Sequence, residues 1–198
     1  MTFKSLDQIL ALGDDEFNEL YPAAIRALAA EHWTPVEVAK RAAEYLAPTP
    51  GTRVLDIGSG AGKFCIVGAA CTEGQFTGVE QRGHLVEVSK SVATTFELSN
   101  AQFIKANITD VAFANFNSFY FFNSFHENRS LVNKIDESVD TSPSHFAKYS
   151  AYVTRELSKA PPRTRLVTYW TCLWDVPAHF QRVRSEFDGL LDFWEKTA

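Results

Sequence analysis

The eleven residues Val54-Leu55-Asp56-Ile57-Gly58-Ser59-Gly60-Ala61-Gly62-Lys63-Phe64 constrain the fold of this chain more than any other stretch. The apolar run around Val54, Leu55 and Ile57 suits a strand covered on both faces, as in a parallel sheet. Gly58, Gly60 and Gly62, at alternate positions, clear side chains from the turn that follows, so a ligand can lie against bare backbone. The next helix then offers its positive N-terminus to electron-rich groups. A strand, a bare turn and a helix in that order predict an α/β fold with a nucleotide-like ligand at the turn.

The glycine spacing narrows the ligand. Dinucleotide turns read G-x-G-x-x-G. Here the third glycine comes one position early, and Lys63 stands where that pattern wants Gly or Ala. Asp56, just before the turn, would repel a pyrophosphate but could hold an ammonium group. A phosphate loop ending G-K-[ST] is excluded because Phe64 follows Lys63. The motif D-I-G-S-G-A-G-K resembles the first motif of the class I S-adenosylmethionine-dependent methyltransferases. That resemblance implies S-adenosyl-L-methionine as cofactor, with Asp56, Gly58, Ser59, Gly60 and Gly62 contacting it. It also implies a doubly wound, mostly parallel seven-stranded sheet that ends in an antiparallel hairpin.

Two further loops fall in register with that resemblance. Gln75 to Glu80 reads as a second strand ending in an acid. A carboxylate accepts two hydrogen bonds and a vicinal diol donates two, so the family likeness gives Glu80 the cofactor ribose, with Gln81 beside it. A third strand over Gln102 to Ala106 leads to Asn107 and Ile108. The family often has Asp where Asn107 stands, accepting from the adenine amino group, and an Asn carbonyl can accept the same bond.

The acceptor side is expected beyond the fourth strand, Ser118 to Asn123, because ligands of open α/β sheets sit past the carboxyl ends of the strands. Many amino-group methyltransferases carry N-P-P-Y or D-P-P-Y there. This chain reads Asn123-Ser124-Phe125-His126, which keeps the Asn, lacks both prolines and resembles the N-x-F of some lysine methyltransferases. The resemblance makes Asn123 the group that orients the nucleophile and contacts the cofactor. His126 is the candidate base, set against the plainer reading of a surface or helix-capping histidine. Upstream, Thr34-Pro35-Val36-Glu37 fits a helix start, with Thr as cap, Pro at the first position and Glu three residues on. The same T-P resembles a cofactor-facing segment of amino-group methyltransferases, which gives Thr34 a cofactor role and puts His32 or Trp33 in the pocket.

Around these motifs the chain reads as one domain, with residues 1–50 as an N-terminal helical cap and residues 51–198 as the sheet-bearing part. The cap is expected to comprise a helix from Asp14 to Ala30, interrupted near Pro22, and the helix opened by Thr34. Helices are expected over His84 to Leu98 and Ser144 to Ser158, and a fifth strand over Arg165 to Trp170. Phe180 to Phe187 and Leu190 to Trp194, joined at Asp188-Gly189, form the expected hairpin. Tyr120 belongs to the core, while Trp170, Cys172, Trp174 and Asp175 are expected to pack on the active-site side. Substrate selection falls to the N-terminal helices and to Ser124–Pro143.

A net charge of -5 without a basic block argues against DNA or long RNA as partner and favours a small-molecule or protein acceptor. Oligomeric state is left open. Cys65, Cys71 and Cys172 make no metal-ligand spacing and suit a reducing, cytoplasmic compartment. No stretch is long and apolar enough to span a membrane. Two other readings stay open: a cofactor-binding protein without catalysis, and an NAD-binding oxidoreductase.

Overall fold

The computed structural model describes Ser5, Gln8, Ala11 and residues 13–122, 124–128, 134–170 and 176–197. Among the described residues from Gly13 on, four helices precede the sheet: α1 (Asp14–Asn18), α2 (Ala23–Arg26), α3 (Ala29–His32) and α4 (Val36–Leu46). Then come β1 (Arg53–Ile57), α5 (Lys63–Cys71), β2 (Gln75–Glu80), α6 (Gly83–Thr95) and β3 (Ala101–Lys105). The chain closes with β4 (Ser118–Phe122), α7 (Pro143–Lys159), β5 (Arg165–Tyr169), β6 (Phe180–Glu186) and β7 (Leu191–Lys196).

The seven strands form one sheet in the order β3-β2-β1-β4-β5-β7-β6. The first five strands run parallel, and β7 enters antiparallel between β5 and β6. The order reverses between β1 and β4, and a crevice opens at such a switch point, past the carboxyl ends of the strands. Alternation along β1 decides which residues meet it. Leu55 and Ile57 join Phe119, Tyr149 and Leu157 on the α7 face, while Val54 joins Phe64, Tyr120 and Leu85 on the other. Asp56 lies in register with Gly78 on one side and Tyr120 on the other, so this carboxylate stands in the row facing α5.

Sequence periodicity gives the strands almost to the residue. The fifth ends at Tyr169, because Trp170 turns out of the sheet with φ 48° and donates to Leu190 O. The hairpin tip is a four-residue loop, with positive φ at Phe187, Asp188 and Gly189 and a bond from Leu190 N to Phe187 O. The helical cap departs further from expectation. The helix expected over Asp14 to Ala30 is three short pieces, broken at Pro22 as anticipated and again after Arg26. Thr34 does not cap α4. Its hydroxyl pairs with Tyr120 Oη at 3.0 Å, and the exposed end of α4 is closed by Asp14, whose Oδ1 accepts from Val36 N at 2.9 Å. A carboxylate brought by a preceding helix does the work of the local cap, which leaves the threonine hydroxyl to the core.

Candidate functional site

The glycine turn is built as its spacing requires. Gly58, Gly60 and Gly62 have φ of 77°, 53° and 79°, in the left-handed region that side chains disfavour. Two backbone bonds lock it, Ser59 N to Val79 O at 2.9 Å and Gly62 N to Ser59 O at 2.8 Å. The missing side chains also let neighbours come close. The Trp33 ring lies where a Cβ on Gly60 would go, and Ser124 Cβ would stand 2.5 Å from one on Gly58. Trp33 is fixed by its indole N–H, which donates to Ile25 O at 3.0 Å. Ser124 Oγ donates back to Ile57 O, tying the end of β4 to the end of β1.

Two carboxylates flank this turn, both buried. Asp56 is 4% exposed and accepts from Cys65 Sγ at 3.5 Å. Among the described residues no ammonium or guanidinium pairs with it. Burial pushes its carboxyl from 3.8 up to about 7, the Cys65 bond working against the rise and the Glu80 charge adding to it. Glu80, 8% exposed, accepts from Gly60 N at 3.2 Å through Oε2 and from Arg82 N at 2.9 Å through Oε1. Burial raises its pKa as well, opposed first by the Arg82 amide and then by the Arg82 charge. A carboxylate has about four acceptor positions, so the bonds from these amides leave capacity for a ligand. Between them, Ser59 Oγ is buried without a hydrogen-bond partner. Two acids, a bare turn and an orphaned hydroxyl fit a ligand with an ammonium at one end and hydroxyls at the other.

The crevice is narrow and has two parts that meet at Gly58. A cavity of about 50 Å³ lies toward β2 and β3, lined by Glu80, Gln81, Ile108, Phe125 and the 139–141 segment. A second, of about 20 Å³, is lined by Trp33, Thr34, Asp56, Ser59, Lys63 and Tyr120. Thr34, Asp56, Gly58, Ser59, Glu80, Gln81 and Ile108 therefore share one crevice, with Gly60 and Gly62 forming the turn behind them. Asn107 sits at the edge of this group with its side chain engaged. Its Oδ1 accepts from Thr109 N and Thr109 Oγ1, each at 3.0 Å, and its Nδ2 donates to Gln81 Oε1 at 3.2 Å and Tyr149 Oη at 2.8 Å. Both carbonyl acceptor positions are thus filled from within the chain.

Two cations shape the site without having been expected there. Arg82, 6% exposed, reaches Glu127 Oε2 at 2.9 Å and Asp136 Oδ1 at 3.0 Å, with Glu80 Oε1 at 3.8 Å. It clasps the segment after β4 onto the acid at the end of β2. Lys63, 3% exposed, bonds Asp14 Oδ1 at 2.6 Å and Asn18 Oδ1 at 2.9 Å. Burial lowers its pKa while Asp14 raises it. Neither residue carries a local sequence signal for these roles, because apart from Glu80 beside Arg82 every partner comes from a distant segment.

Asn123 lies outside the described residues, as do Cys172, Trp174, Asp175 and the side chain of His126. The backbone of His126 opens a 3₁₀ turn, His126–Asn128, just past β4. Trp170 is 61% exposed rather than packed, because its left-handed backbone swings the ring outward at the strand end. Among the described residues no helix is long and apolar enough to cross a membrane. Among those residues, too, no group of three His, Cys, Asp or Glu is placed to hold a metal ion.

Comparison with known proteins gives a consistent picture. A family model described as a methyltransferase domain matches residues 48–160. No curated protein sequence matches the chain. Among solved structures, an RNA methyltransferase from Salinibacter ruber in complex with S-adenosyl-L-homocysteine is similar at TM-score 0.59 and 17% identity, over 83% of this chain and 93% of that one. The putative methyltransferase yhhF from Escherichia coli follows at 0.55 and 14%, over 82% and 85%. TrmN from Thermus thermophilus gives 0.56 and 17%, over 88% of this chain and 52% of that one. At these identities the likeness is one of fold.

Proposed function

The chain belongs to the methyltransferase-domain family, in its class I form, and from this premise we propose that it moves a methyl group from S-adenosyl-L-methionine to a nitrogen nucleophile. The observation that carries the cofactor reading is Asp56, a carboxylate buried beside the glycine turn with no cation among the described residues to balance it. A buried carboxylate without a counter-charge is costly, and a ligand ammonium removes that cost. Two buried acids on one crevice oppose a pyrophosphate, which speaks against the dinucleotide alternative.

When bound, the cofactor supplies a methyl group on a sulfonium whose departing thioether is already a good leaving group. The residues of this chain have to bind and align. Asp56 would hold the ammonium, Glu80 would use its remaining acceptor capacity for the ribose hydroxyls, and Thr34 would line the amino-acid end. Since Thr109 fills both acceptor positions of Asn107, we assign the adenine to the wall formed by Ile108 and Gln81, with Asn107 bracing Gln81. Alignment of nucleophile and methyl supplies roughly 7–11 kcal/mol of such a barrier. In this reading Asn123 orients the acceptor and His126 takes the proton it loses, both on the strength of their place after β4.

The nitrogen preference rests on Asn123-Ser124-Phe125. The net charge of -5 supports a protein or small-molecule acceptor, while the RNA methyltransferase among the structural relatives keeps RNA in the screen. The free thiols of Cys65 and Cys71 support a reducing compartment such as the cytoplasm. Phe17, Tyr21 and Trp33 of the N-terminal helices share a core with Phe64 and Tyr120, which supports a single domain. Isothermal titration with S-adenosylmethionine and NAD side by side tests the cofactor, with binding expected for the first alone. Preference for NAD, or undiminished S-adenosylmethionine affinity in Glu80→Gln, would sink the proposal. Radiolabelled transfer into lysate fractions separated by size then identifies the acceptor class, and full transfer by Asn123→Ala would remove that residue from it.

A further inference from the structure

The smaller cavity beside the glycine turn has two charged side chains in its wall that are not paired with each other. One is the Asp56 carboxylate, the other the Lys63 ammonium-bearing chain, and both are almost fully buried. Lys63 bonds instead to Asp14 at 2.6 Å and Asn18 at 2.9 Å, and stands 5.1 Å from the centroid of the Phe17 ring. An ammonium carries three N–H donors, so these two bonds leave one unspent. Of the hydroxyls in the same wall, those of Thr34 and Tyr120 pair with each other at 3.0 Å, while that of Ser59 is without a partner. The cavity thus holds an anion lacking a cation and a cation with a donor to spare.

That pair of charges is the complement of a zwitterion. An α-amino acid group carries an ammonium and a carboxylate on one carbon, and a buried site accepts it only if each charge meets its opposite. A plain nucleoside has neither charge, and a nucleotide has only negative ones. We propose that Lys63 binds the α-carboxylate of the cofactor's amino-acid group, across from Asp56 on its α-ammonium, and so selects nucleosides that carry an intact amino acid. The proposal rests on the S-adenosylmethionine reading given above. Asp14 then has two tasks: it keeps Lys63 charged inside the core, and it ends α4 through Val36 N. It competes with the ligand for the same ammonium, without replacing it.

The competing role for Lys63 is mechanical, a tie between the N-terminal helices and the turn. Two probes separate the roles: S-adenosylhomocysteine, and 5′-methylthioadenosine, the same kind of nucleoside thioether without the amino acid. Titration calorimetry on the full chain should show wild type preferring S-adenosylhomocysteine. Lys63→Met should lose roughly 10- to 100-fold of that affinity, the weight of one charge-assisted hydrogen bond, while methylthioadenosine binding stays near wild type. Asn18→Leu removes one anchor of the same tie but leaves the Asp14 charge that keeps the ammonium protonated, so the preference should hold or increase. A mechanical tie predicts that both variants weaken both ligands in parallel, and that result overturns the proposal. If Lys63→Met fails to fold, Asn18→Leu decides alone: a reduced preference for S-adenosylhomocysteine overturns the assignment. Equal wild-type affinity for the two nucleosides also overturns it, yet leaves the cofactor reading standing. Binding of neither removes both.

Discussion

Replacing Asp56 with Asn removes a buried negative charge while keeping an oxygen that can accept from Cys65. In the folded protein, burial moves this carboxyl from 3.8 to about 7. In the unfolded chain it returns to the lower value. Between those limits the folded state binds more protons than the unfolded one, so stability contributed by this group falls as pH rises across the window. Each pH unit in that window costs about 1.36 kcal/mol. Going from pH 5 to above pH 7 therefore costs the wild type about 2.7 kcal/mol that Asp56→Asn does not lose. For a chain of this size the difference corresponds to about 5–11 °C in melting temperature. Melting curves of both proteins at pH 5 and pH 8 measure it, and the widening gap between them cancels any pH-independent effect of the substitution. Saturating S-adenosylhomocysteine should close the gap, since an ammonium opposite Asp56 favours its charged form. A gap that stays constant between the two pH values would refute the reasoning, because it would mean that Asp56 is comfortably ionised without a ligand.

Gly62→Ala should lower stability by roughly 2–5 kcal/mol, combining a left-handed backbone with overpacking. Its new Cβ would meet Phe103 Cε1 at 2.5 Å and Ser89 Oγ at 2.7 Å. An unchanged denaturation midpoint would contradict the turn geometry. Arg82→Met leaves the carboxylates of Glu127 and Asp136 without their buried partner. Their side chains are 13% and 30% exposed, so the penalty should sit near the lower end of the range for breaking a buried pair, about 3 kcal/mol. Limited proteolysis should cut the 134–141 segment faster, and cofactor dissociation should accelerate. Wild-type rates in both assays would mean that the clasp holds nothing.

The scaffold was readable because its signals are local. Strand β1 and the helix α5 are one apolar run broken by three glycines, and Glu80 and Asn107 follow at strand ends marked by the same alternation. What the sequence hid depends on distance. Thr34 with Pro35 and Glu37 looks like a self-contained helix start, yet the cap comes from Asp14, 22 positions earlier, and the hydroxyl turns to Tyr120. Asn107 stands where an adenine acceptor was expected, but Thr109, two residues on, takes its carbonyl, a local bond that strand periodicity does not reveal. Lys63 entered the reading only as a reason against a dinucleotide, since nothing near it in sequence announces Asn18 or Asp14. Arg82 likewise reaches 45 positions to Glu127, a pairing that composition alone does not disclose.

The tight fit of Trp33 on Gly60 and of Ser124 on Gly58 bears on how a ligand reaches the crevice. Pockets for drug-sized molecules measure about 300–1,000 Å³, whereas the two chambers here hold about 50 and 20 Å³. A nucleoside-sized ligand exceeds both chambers, so its admission and exit need side chains lining the crevice to shift. Such doorways open on microsecond-to-millisecond scales and often outlast the bond-making step. Turnover in this protein is accordingly expected to include an opening step at the glycine turn.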